Sequence, residues 1–75
     1  MSYGKKLLQA RNALEWTLTD AAKASGVSRG IICYWENEAR RPGMELLIRY
    51  MRALKMSATD QEEVLRKAGL PALTA

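Results

Sequence analysis

Histidine is absent from this chain of 75 residues, and cysteine occurs once, at Cys33. A single thiol closes no internal disulfide, which fits a reducing compartment. The same scarcity removes the clustered Cys and His that hold zinc. It also removes the Ser-His and Cys-His pairs that activate a nucleophile. A catalytic centre would have to be built from carboxylates, lysines and tyrosines alone, on a chain with little room for a cleft. The expectation is no enzyme, no metal and no cofactor. Long apolar runs are lacking too, and none approaches the roughly 18 residues that span a bilayer. Lys5 and Lys6 are followed by no apolar stretch of the kind a secretory signal carries. That points to the cytoplasm and away from a membrane partner.

What is present is ordinary in amount and uneven in placement. The apolar fraction of 48% suits a folded domain. At this length the chain reads as one domain, residues 1–75, of modest stability, because small domains bury a smaller share of their surface. The net charge is +4. A basic surplus favours an anionic partner, nucleic acid first. The surplus lies early: Lys5, Lys6, Arg11, Lys23, Arg29, Arg40 and Arg41 precede residue 43, against Glu15, Asp20, Glu36 and Glu38.

Helical periodicity runs through the whole chain, with no useful strand alternation and no internal repeat. Tyr3, Leu7, Ala10 and Leu14 share one face of a first helix, about residues 3–14. Thr17 offers an N-cap hydroxyl and Asp20 completes a capping box, opening a second helix that Gly26 stops after Ser25. Ser28 caps a third helix over residues 29–37. A loop with Arg40, Arg41 and Pro42 follows. Met44, Leu47, Tyr50, Met51 and Leu54 stripe a fourth helix, and residues 61–68 form a fifth, ended by Gly69 and Pro71. The expected fold is all-α, a compact bundle of five short helices.

Two short helices around the break Ser25-Gly26-Val27 make a helix-turn-helix, whose second helix enters the DNA major groove. The segment Thr17-Leu18-Thr19-Asp20-Ala21-Ala22-Lys23-Ala24-Ser25-Gly26-Val27-Ser28-Arg29 resembles the first half of that unit in the Cro/cI-type (Xre) repressors. The run from Ile32-Cys33-Tyr34-Trp35-Glu36-Asn37 through Arg40-Arg41-Pro42 to Leu47 is similar to the same family's continuation. The resemblance covers about residues 4–57. It implies a lambda-repressor-like DNA-binding domain, with the helix-turn-helix formed by helices 2 and 3 and a recognition helix over residues 28–37.

In that third helix Val27, Ile32 and Trp35 face the core, leaving Arg29, Gly30, Cys33, Tyr34 and Asn37 outward. Residues near the start of a recognition helix reach base edges. The expected base contacts are therefore Arg29, Gly30, Cys33 and Tyr34, with Arg29 bidentate to a guanine. Thr17 and Ser28 are N-caps in their own right; the resemblance adds that such helix starts meet phosphates. Asn37, Arg40 and Arg41 join them as expected phosphate contacts. The resemblance also implies an ion pair between Arg11 and Glu36 that fixes the recognition helix. Trp16 and Trp35 read as core residues. The chain departs from the family at Leu18, where many members carry Gln, at Gly30, where a reading side chain is usual, and at Glu38 and Lys55, where Gly is common.

One module makes few base contacts, so the expectation is a homodimeric regulator, acting as a repressor at a short palindrome on double-stranded DNA at the nucleoid. Val64, Leu65, Leu70 and Leu73 exceed what a small core needs and are the expected dimer surface, within a dimerisation element over residues 58–75. The alternative of a different class is an antitoxin-like module that binds a small protein partner and autoregulates its own promoter.

Overall fold

A computed structural model describes residues 3–39 and 42–70. Five helices follow one another: α1 (Tyr3–Ala13), α2 (Leu18–Ser25), α3 (Arg29–Glu36), α4 (Met44–Ala53) and α5 (Ala58–Lys67). There is no strand among the described residues.

The helix starts are set by short polar residues. Thr17 Oγ1 accepts from the Asp20 N–H at 3.1 Å, and Asp20 Oδ2 accepts from the Thr17 N–H at 3.0 Å, a complete capping box. Ser28 Oγ accepts from the Ile31 N–H at 3.2 Å and opens α3. Ser57 does the same for the Asp60 N–H at 3.1 Å. This bond starts α5 at Ala58, three residues before the Gln61 that the sequence points to. Ala58, Thr59 and Asp60 are its first turn.

The helix ends share a device. After α1, α3, α4 and α5, an N–H reaches back five residues to a carbonyl: Trp16 to Arg11, Ala39 to Tyr34, Met56 to Met51 and Leu70 to Leu65. Each reversal needs a left-handed residue just before it. Gly69 supplies one, but Glu15, Glu38 and Lys55 occupy the others at φ 57, 56 and 57. Non-glycine residues strain there, because Cβ crowds the next carbonyl.

The core gathers one face of every helix. Leu7 of α1, Ala21 of α2, Ile32 and Trp35 of α3, and Leu47, Tyr50 and Met51 of α4 meet inside. The Trp35 and Tyr50 rings lie 5.5 Å apart at 58°, a tilted aromatic pair. Trp16 is only half-buried, packed at the edge of this core. α1 lies between α3 and α5, and α2 lies against α3 and α4. Lys6 Nζ ties α1 to α5, at 3.3 Å from Asp60 Oδ1 and 2.7 Å from Glu63 Oε2.

α5 corrects one expectation. Val64 and Leu65, read from the sequence as a surface for a second copy, are both fully buried in the chain's own core. A chain this small needs α5 to close its core, so those side chains are already spent. Leu70 is half-buried against the same core. Leu73 lies outside the described residues.

Candidate nucleic-acid interface

The turn between α2 and α3 is held from inside. Gly26 is left-handed, φ 74, and its N–H donates to the Ala22 carbonyl at 2.9 Å. Ser25, almost fully buried, donates its hydroxyl to the Ala21 carbonyl at 2.7 Å and accepts from the Val27 N–H at 3.2 Å. That hydroxyl satisfies two main-chain groups where the chain changes direction. In the sequence its only signal is a serine directly before the stop glycine. Val27 is 2% exposed and fills the angle between the helices.

α3 has two unlike sides. Ile32 and Trp35 are buried, whereas Ser28, Arg29, Gly30, Tyr34 and Asn37 are exposed and Cys33 is half-buried. Arg29 makes no ion pair with any described residue, so its guanidinium is available to an outside anion. A side chain at Gly30 would meet nothing within 4 Å, which leaves the backbone there open to close approach. Asn37 Nδ2 donates to Cys33 Sγ at 3.4 Å, joining two outward residues one turn apart. Thr17 is exposed at the start of α2. The first N–H groups of a helix have no acceptor within it, and they favour anions. α2 and α3 each open on such a turn at the surface. Arg40 and Arg41 lie outside the described residues.

The far end of α3 is bolted to α1. Arg11 Nε donates to Glu36 Oε2 at 2.7 Å and its Nη2 donates to Glu36 Oε1 at 3.0 Å. Its remaining nitrogen, Nη1, donates to the Trp16 carbonyl at 2.8 Å, so one guanidinium secures α3 and the turn between α1 and α2 together. The hydrogen bond to Glu36 raises the Arg11 pKa above its ordinary value, so the cation is held charged. Below the pair, burial pushes the Tyr50 phenol well up, with Glu36 adding to the shift. Its hydroxyl has no hydrogen-bond partner among the described residues. α1 also touches α3 through Gly4, a contact that no sequence pattern announced.

The structure therefore brings Arg29, Gly30, Cys33 and Tyr34 onto one short helix, with Ser28 and Asn37 as its caps, braced by Arg11 and Glu36. Among the described residues no helix is long and apolar enough to cross a membrane, and no cluster of His, Cys, Asp or Glu is arranged to hold a metal. A family model described as helix-turn-helix matches residues 7–70. No curated protein matches the chain, and no solved structure does.

Proposed function

Because the chain belongs to the helix-turn-helix family of Cro/cI type, and is thereby a DNA-binding regulator of transcription, we propose that it is a homodimeric repressor of a short palindromic operator, working in the cytoplasm at the nucleoid. The observation that supports this most directly is the exposed Arg29, without an ion pair among the described residues, on a helix whose opposite side is locked into the core. A guanidinium near the start of such a helix matches the two acceptors on the major-groove edge of guanine. Tyr34 adds a contact to a phosphate or a thymine methyl. Gly30 and the small Cys33 allow the backbone to approach the bases. Thr17, Ser28, Asn37, Arg40 and Arg41 meet phosphates, which set register without reading sequence.

Few reading side chains point outward, so one copy discriminates weakly. Two copies related by a two-fold axis double the contacts, at half-sites about one helical turn apart. The pairing surface excludes Val64 and Leu65, which the core has taken.

Selection of bound duplexes from a random pool, repeated at two salt concentrations, tests the reading. A palindrome recovered at both is the expected outcome. Uniform recovery with a steep loss of binding in salt means phosphate attraction alone and overturns it. Sedimentation with and without the selected duplex tests the pairing; one copy per duplex overturns the homodimer.

A further inference from the structure

We propose that Gly4 is a positioning residue for DNA reading: it lets α1 lie directly on the closing turn of α3 and so sets where the outer face of α3 stands. A Cβ at Gly4 would fall 2.5 Å from the Glu36 carbonyl oxygen, 2.7 Å from that of Trp35 and 3.0 Å from the Glu36 carbonyl carbon. All three are main-chain atoms, so no side-chain rotation relieves the overlap. At Gly30 and Gly43 a Cβ meets nothing within 4 Å. Glycine at position 4 is thus demanded by packing, not by backbone conformation.

A hydrogen bond completes the contact. The Gly4 N–H donates to Glu38 Oε2 at 3.3 Å. Glu38 stands two residues past the end of α3 and bends its backbone into the left-handed region, φ 56. The opening N–H groups of α1 carry partial positive charge, which a carboxylate complements. Arg11 grips Glu36 further along the same helix. α1 therefore holds the end of α3 at two places, one of close contact and one of charge.

Geometry carries the effect to the reading end. Arg29 lies seven residues before Glu36, about 10 Å along the helix at 1.5 Å per residue. Bringing a Cβ at position 4 to ordinary contact needs a shift on the order of 1 Å between α1 and α3. Recognition constellations tolerate about half that before contacts fail. Gly4 touches neither base nor phosphate in this scheme; it acts through α3.

The inference rests on the DNA-reading function proposed above, and its test separates the two. Affinity for the selected duplex and for a random duplex is measured by fluorescence anisotropy, well below each variant's melting temperature. Backbone amide resonances of residues 29–34 are recorded without DNA. Gly4→Ala should lose roughly tenfold on the selected duplex, the scale of one base contact, while the random duplex is bound as before and the resonances move. Val64→Ala, a core change on α5, which packs against α1 and α4, should lower the melting temperature and leave the ratio of affinities alone. An unchanged ratio in Gly4→Ala, or an equal fall in Val64→Ala, overturns the proposal. Should Gly4→Ala not fold, Glu38→Ala should lower the ratio and Glu38→Gln, which keeps an acceptor for the Gly4 N–H, should restore it; no change in either overturns it. If the unaltered protein shows no preference for the selected duplex, the reading function fails. The amide resonances then decide positioning alone, and resonances unmoved in both the Gly4 and Glu38→Ala variants overturn it.

Discussion

Arg11 on α1 and Glu36 at the end of α3 meet through two parallel hydrogen bonds, 2.7 and 3.0 Å, with side chains only 12% and 9% exposed. Burial this deep makes each partner dependent on the other. A charge left behind without its counter-ion keeps its desolvation penalty and loses its compensation.

Arg11→Met or Glu36→Leu alone should each cost about 3–5 kcal/mol of stability, the scale for breaking a buried pair. The double variant should cost less than the two losses added, because no charge is stranded. Urea denaturation measures all three. A single-variant loss within about 0.5 kcal/mol, ordinary for a surface change, would sink the view of this pair as a structural bolt.

Tyr50 sits beneath that bolt, fully buried, with a hydroxyl that has no partner among the described residues. Tyr50→Phe keeps the ring against Trp35 and removes the desolvated group. Stability should rise by about 1 kcal/mol, the lower range for an unsatisfied buried polar group. A fall of similar size in a thermal melt would mean that the hydroxyl is satisfied in solution.

Glu15 and Lys55 hold left-handed backbone at φ 57. Glycine removes the Cβ clash but has more freedom to lose on folding. The net expectation for Glu15→Gly and Lys55→Gly is a gain of about 1 kcal/mol each. Glu38→Gly should gain less, or lose, because the Glu38 carboxylate also accepts from the Gly4 N–H. Equal gains at all three positions would refute that distinction.

Stability should also fall in acid through α2. Hydrogen bonds from the Thr17 main chain, and then its hydroxyl, hold the Asp20 carboxyl below its ordinary value. A carboxyl depressed in the folded state stabilises fully above its unfolded value of about 3.9. That contribution drains away as pH falls through the lower folded value. Melting temperatures taken down from about pH 5 should drop less for Asp20→Asn than for the unaltered protein. Parallel curves would remove Asp20 from the acid response.

Arg29 and the phosphate contacts should separate in their effect on DNA. Arg29→Ala is expected to relax specificity at one base pair and cost about 1–3 kcal/mol of binding. Arg41→Ala should weaken all duplexes about equally and flatten the salt dependence. If the two variants behave alike against matched and mismatched duplexes, the division between reading and clamping is wrong.

The amino-acid order alone determined most of the helix-turn-helix, because its punctuation is local. Thr17 with Asp20, Ser28 with the Ile31 N–H, and the left-handed Gly26 each act within a few residues. Periodicity likewise assigned Ile32 and Trp35 to the inner side of α3 and left Arg29 and Tyr34 outward. It failed at α5, where Val64 and Leu65 carry the same apolar signal whether they close their own core or face a second copy. Only the tertiary structure decided that, since the answer depends on how much volume the other four helices leave to fill. It alone revealed the approach of Gly4 to Glu36 and a Tyr50 phenol with no partner among the described residues. Both depend on how segments far apart in the chain pack together, and no local spacing encodes the distance between two helices.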